Sequence, residues 1–342
     1  RNCNAGEGIG VRVMEGRAKK VEGNPMFPIN NGKHRPACEA ALQALYHPDR
    51  IGTPMQRSGP RGSGHFSPIS WSAALDKLQQ ELKVRGNSML MITDPLRGHL
   101  GTVVSRFTQS LGGRYMSFDT LDNATYRGAI KGVFGQDLMP DFDFANTRFL
   151  LSFGADFLST WVSPTRWNVG YGEFRSGVGK ERGTFYHADS RFSMTAASAD
   201  EWVPVKPGGE GVLAMSMIYV IIRDGLGDSG VAGVLTGGNG YLSLDDFRPN
   251  SSQVEDATGV SEDRIVELAH AFADPGNQPS LAIGGGSAGA HTSGLFNLRA
   301  IYSLNLLVNN VNKAGGVFFN PPPPLEDLAK QEVQNMGLSA PF

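Results

Sequence analysis

The sequence predicts an α/β fold of mostly parallel sheets flanked by helices, preceded by a small β-hairpin domain. Short apolar strands alternate with amphipathic helices along most of the chain, the pattern of a parallel sheet covered by helices. Glycine follows several strands, as at Phe153–Gly154 and Ile283–Gly284–Gly285. The 44 glycines and 20 prolines among 342 residues call for many tight turns.

Residues 8–24 alternate apolar and polar side chains around Glu15–Gly16, which predicts a hairpin carrying Val11, Val13, Ala18 and Val21. Residues 37–46 form a short amphipathic helix stopped by His47–Pro48. Residues 56–66 have the composition of a turn and linker. Ser70 or Ser72 caps a helix that runs to about Lys83, with Leu75, Leu78 and Leu82 on one face. Strands are expected at 89–93, 115–118, 148–153, 184–187, 202–205 and 280–283, and helices at 103–111, 123–134, 211–223, 261–273 and 293–308. A loop-rich helical region separates the strands at 148–153 and 184–187. The expected domains are 1–66 (hairpin and linker), 67–156 (a first α/β part), 157–320 (a second, dinucleotide-binding-like α/β part) and 321–342 (a linker or the start of a further region).

Composition excludes some functions. The 31 basic and 33 acidic residues balance, so there is no charge footprint for nucleic acid. The longest apolar run, 212–222, is shorter than the roughly 20 residues that span a bilayer and reads as a buried helix. No secretory signal is visible, and both ends read as cuts through a longer chain. The cysteines are Cys3 and Cys38. Two thiolates are too few for a four-thiolate site; a disulfide or two thiols are the options. The seven histidines, at 34, 47, 65, 99, 187, 270 and 291, show no metal-ligand spacing.

Three segments carry potential chemistry. In 148–156 a buried strand meets Gly154 and then Asp156, offering backbone N–H groups and a carboxylate to a ribose or pyrophosphate; an ordinary strand-to-loop turn has the same sequence. In 187–191, Asp189 and Arg191 follow a strand and suit a guanine or a phosphate, or a capped turn. The run Gly284–Gly285–Gly286 precedes a helix but lacks a P-loop lysine and the spacing of a dinucleotide fingerprint. Asp141 and Asp143 read either as paired carboxylates or as a turn after Pro140.

Longer stretches are more specific. The opening RNCNAGEGIGVRVMEGRAKKVEGNPMFPINNGK, then EAALQALYHPDRI, ISWSAALDKL, LLSFGADFLST, HADSRFSMTAASADEWVPVKPGGEGVLAMSM and IGGGSAGAHTSG occur in that order. In this order they resemble the molybdopterin oxidoreductase, or dimethyl sulfoxide reductase, superfamily over nearly the whole chain. Within it the stretch FGQDLMPDFDFANTRFLLSFGADFLSTWVSP is most similar to the molybdopterin-like domain of the large iron–sulfur subunit of alternative complex III, a membrane quinol-oxidising complex.

The resemblance implies an iron–sulfur hairpin, yet the chain departs from it. Cys3 falls on the second cluster position, Glu7 on the third and Arg35 on the fourth; the first would precede Arg1. No cluster or metal is expected, and an ion pair between Glu7 and Arg35 is expected in the cluster's place. Cys38 is a candidate partner for Cys3. The region matching the family's molybdenum ligand, 117–127, has no cysteine; Ser117, Asp119 and Asp122 stand there outside a recognisable ligand motif. Gly154, Asp156, Asp189, Arg191, Gly284 and Gly285 become vestigial positions of a pterin-dinucleotide cleft.

The expected function is a non-catalytic scaffold in a membrane quinol:electron-acceptor oxidoreductase of an electron transport chain. No cofactor is expected in this chain; iron–sulfur clusters and haem belong to neighbouring domains or subunits. The resemblance implies an iron–sulfur domain, cytochrome c subunits and an integral membrane quinol subunit as partners, on the periplasmic face of a bacterial membrane. The alternative is part of an active, cluster-free molybdenum oxidoreductase.

Overall fold

The structure is a computed structural model that describes residues 6–94, 96, 99–118 and 123–319. The described residues divide into two compact units, one drawn from 1–39 and 122–321 and the other from 40–121. The hairpin therefore shares a unit with the later α/β part. The boundaries expected after residues 66 and 156 do not coincide with these cuts.

The chain enters the hairpin of β1 (Ile9–Met14) and β2 (Arg17–Gly23), antiparallel with Val11 opposite Val21. Glu15 and Gly16 both have positive φ, as the tight turn requires. Asn30 locks the base of the hairpin: its side chain accepts from the Gly8 N–H and donates to the Gly8 carbonyl, each at 2.9 Å. Helix α1 (Pro36–Leu45) follows.

In the unit of residues 40–121, β3 (Met55–Arg57) pairs antiparallel with β4 (Phe66–Pro68). The turn-rich segment 56–66 thus joins the two strands of one small ladder. Helix α2 (Trp71–Arg85) starts at Ser70, whose hydroxyl accepts from the Ala73 N–H at 3.1 Å. Strand β5 (Leu90–Thr93), helix α3 (His99–Ser110) and strand β6 (Arg114–Ser117) complete it, with β5 and β6 parallel. The apolar face expected on α2 exists, but Leu75 and Leu78 are exposed, as are Leu90, Ile92, Val103 and Phe107.

The larger unit resumes with α4 (Ala124–Phe134), β7 (Pro140–Phe142), β8 (Phe149–Phe153), α5 (Pro164–Arg175), β9 (Thr184–Asp189), α6 (Met194–Ala197), β10 (Glu201–Pro204), α7 (Glu210–Arg223), α8 (Ser229–Leu235), α9 (Ser252–Thr258), α10 (Glu262–Ala273), β11 (Ser280–Gly284), α11 (Gly294–Leu307) and β12 (Val317–Phe319). Four of these strands make one all-parallel sheet in the order β10-β9-β8-β11. Strands β8 and β11 are buried throughout, as expected for a sheet covered on both faces. The apolar run at 212–222 is the buried body of α7, which packs on α10 and α11. Strands β7 and β12 pair separately and antiparallel. Phe142, Phe144, Trp161, Trp167, Tyr126 and Tyr302 form a buried aromatic pile near β7.

Candidate functional site

Two places in the larger unit concentrate polar side chains around buried carboxylates. The first lies at the hairpin. The Glu7 carboxylate has a side-chain exposure of 1 %, and Arg35 Nε stands 3.1 Å from its Oε1. The Cys38 thiol donates to Oε2 at 2.8 Å, and the Thr165 hydroxyl at the start of α5 donates to Oε1. Burial works to raise the Glu7 pKa. The thiol, the hydroxyl and the guanidinium outweigh it and hold the carboxyl below its usual range. The ion pair expected from the sequence is present. Thr165 was not foreseen, because nothing in its spacing links it to residues some 160 positions earlier. Cys3 lies outside the described residues, so its relation to Cys38 is not described.

The second place is the crevice beyond the carboxyl ends of the sheet. The strand order reverses between β8 and β11, and such a switch point is where ligands sit in open parallel sheets. The sequence-predicted residues Gly154, Asp156, Asp189, Arg191, Gly284 and Gly285 all gather there. Gly154 has φ +62°, and a Cβ on it would collide with Ser287 Oγ, so only glycine fits. Its N–H donates to the Ala188 carbonyl at 2.9 Å, and its carbonyl accepts from the Ser287 N–H at 3.2 Å. Gly285 passes so close to the Trp161 indole that a side chain there would strike Nε1.

The carboxylates of the crevice are turned inward. Asp156 accepts from the Thr195 hydroxyl at 2.5 Å and the Thr160 hydroxyl at 3.1 Å, and Arg191 Nη2 stands 3.5 Å away. Asp189 accepts from the Ser287 hydroxyl at 3.1 Å and the Arg191 N–H at 3.2 Å, and His187 Nε2 lies 3.4 Å from its other oxygen. Burial pushes the Asp189 pKa up, but His187, the Arg191 N–H and Ser287 prevail and hold it low. His187 itself is fully buried, and neither of its ring nitrogens is within hydrogen-bond geometry of a partner. Thr195, Thr160 and Ser287 gave no sequence signal; single hydroxyl residues in loops rarely do.

The other candidates fall elsewhere. Asp141 is not a free carboxylate but pairs with Arg166 at 2.8 Å, and Asp143 accepts from Asn146 and from the Gly315 N–H. Ser117 ends β6, in the smaller unit. Asp119 and Asp122 lie outside the described residues. Among the described residues no group of three or more His, Cys, Asp or Glu side chains is arranged to hold a metal ion.

A family model described as molybdopterin oxidoreductase matches residues 50–332. The chain belongs to the molybdopterin oxidoreductase family. It is 28 % identical over 92 % of its length to the menaquinone reductase, molybdopterin-binding-like subunit of Nitratidesulfovibrio vulgaris, covering 44 % of that protein. It is 26 % identical, also over 92 % of its length, to dimethyl sulfoxide reductase DmsA of Escherichia coli, covering 43 % of it. Among solved structures, acetylene hydratase from Pelobacter acetylenicus superposes with a TM-score of 0.72 at 20 % identity, over 91 % of this chain and 43 % of that one; that likeness is one of fold. The chain thus spans less than half the length of these relatives.

The resemblance implies an iron–sulfur hairpin and a pterin-dinucleotide cleft. Among the described residues the donor set at the hairpin does not suit a cluster: one thiol, Cys38, stands beside a carboxylate, a guanidinium and a hydroxyl, where four thiolates are needed. At the crevice, Asp156 and Asp189 spend their acceptors on Thr160, Thr195, Ser287 and Arg191.

Proposed function

We propose that this chain is a non-catalytic, molybdopterin-oxidoreductase-like scaffold within a membrane quinol:acceptor oxidoreductase of the alternative complex III type. It holds neither an iron–sulfur cluster nor a pterin. The observation that carries the reading is the Glu7 knot, in which Arg35, Cys38 and Thr165 close on a buried carboxylate. Similarity to a menaquinone reductase subunit named molybdopterin-binding-like supports the same reading. The electron path runs through clusters and haem in an iron–sulfur domain and cytochrome c subunits, beside an integral quinol subunit. The scaffold lies on the periplasmic face of the membrane, as a peripheral part; no helix among its described residues is long and apolar enough to cross a bilayer.

The test is purification of the full-length protein from native membranes with its partners. Co-purification of haem c and of a quinol-binding membrane subunit supports the assignment. A protein that purifies alone and reduces a small oxide substrate contradicts it. A second reading, part of an active cluster-free molybdenum oxidoreductase, is favoured by the crevice frame, since Gly154 lets the loops after β8 and β11 approach closely and Gly285 packs on the Trp161 indole.

A further inference from the structure

Glu7, Asp156 and Asp189 are each answered by cations or by several donors. Glu210 is not. It opens α7 and is fully buried. Its Oε2 meets Asn297 Nδ2 on α11 at 3.5 Å, and its Oε1 has no hydrogen-bond partner. Asn297 is fully buried too. Its Nδ2 donates to the Ala288 carbonyl at 3.0 Å and the Gly208 carbonyl at 3.3 Å. Its Oδ1 packs against Gly211, so tightly that a Cβ there would collide, and it receives no donor. Two buried acceptors on facing first turns thus lack a hydrogen, a state that buried polar groups avoid. A single added proton satisfies both.

We infer that the Glu210 carboxyl is protonated in the folded protein and donates its O–H to Asn297 Oδ1, an acid–amide pair that latches the start of α7 to α11. Asn297 already holds the Ala288 carbonyl in the loop after β11, so the latch joins that loop to the turn after β10. The inference is independent of what surrounds the chain in an assembly.

The surroundings shift Glu210 toward the neutral acid. Burial raises the Glu210 pKa and is the largest influence; Asp189 adds to it, while the Gly208 and Glu210 N–H groups and His291 oppose it without prevailing. The charged side chains of α9, α10 and the turn Tyr241–Phe247 are exposed, except Arg264, which is committed to Glu201 and Glu267. Arg299 on α11 is exposed as well. Because the folded state binds this proton more tightly than the unfolded state, the latch contributes fully at low pH. Its contribution is lost as pH rises through the folded value.

The experiment uses the full-length chain in its purified complex and records infrared difference spectra, wild type minus E210Q, at neutral pH. A protonated-carboxyl carbonyl band that E210Q removes is the expected result. N297S, which withdraws the acceptor amide, should shift that band upward. It serves as the second variant should E210Q fail to fold. Glutamine keeps a donor toward Asn297, so the E210Q melting temperature should match wild type at neutral pH and decline less toward alkaline pH. Carboxylate bands in place of the acid band, a band that N297S leaves unmoved, or identical alkaline slopes would overturn the inference.

Discussion

Glu7 is a buried carboxylate held by three side chains from separate parts of the chain: Arg35 after the hairpin, Cys38 on α1 and Thr165 on α5. Removing it takes away the carboxylate that faces the Arg35 guanidinium. Breaking a buried pair costs about 3–5 kcal/mol, and Arg35 keeps 24 % side-chain exposure, so Glu7→Ala should lose about 3 kcal/mol in denaturant unfolding. Glu7→Gln should lose less, because an amide still accepts from Thr165. The folded pKa of Glu7 is depressed, so its contribution is present above the ordinary carboxylate value of about 4.3 and is lost as pH falls through the folded value. Wild type should therefore lose more stability than Glu7→Gln between about pH 5 and 3, measured by acid titration of the melting temperature. At Gly154 a methyl group meets both a positive φ and Ser287; Gly154→Ala should cost at least about 1–3 kcal/mol, read from the same unfolding curves. The Glu7–Arg35 pair was legible because both residues stand where the family has cysteines. Thr165 and Ser287 were not, since their partners are set by tertiary approach and not by spacing.

Among the elements, α11 has a task beyond packing. Strand β11 is the edge of the parallel sheet, and an edge leaves N–H and C=O groups to be satisfied. Asn305 on α11 accepts from the Ala282 N–H at 2.9 Å and donates to the Ala282 carbonyl at 2.8 Å, as a neighbouring strand would. The Tyr302 hydroxyl, one turn earlier, donates to the Gly284 carbonyl at 2.6 Å. Asn305→Leu leaves a buried donor and a buried acceptor unpaired, each worth about 1–3 kcal/mol. A loss of about 3 kcal/mol is expected, with faster amide exchange in β11 as the local signature. Tyr302→Phe should cost about 1 kcal/mol. Long elements were legible: the apolar runs of α7, α10, α11, β8 and β11 exceed what any turn offers. The pairing of β7 with β12 was not, because it joins residues more than 170 positions apart. The short β3–β4 ladder was hidden by a glycine- and proline-rich turn, and α6, α8 and α9 are too brief to show a helical period.

At the scale of the molecule, the chain keeps the fold of its family, and the carboxylates at its hairpin and crevice bond to its own side chains. The fold class and the switch-point crevice were legible from strand–helix alternation and from glycines at strand ends. The inward commitment of Asp156 and Asp189 was not, since it depends on hydroxyls from other loops. On the function proposed above, the chain positions neighbouring redox subunits and carries no electron itself. That claim is tested most directly by elemental analysis of the full-length protein, purified in its native complex, for molybdenum and tungsten, with pterin release measured on the same sample. The account predicts neither metal nor pterin at more than trace level. One metal atom and two pterins for each copy of this chain would contradict it.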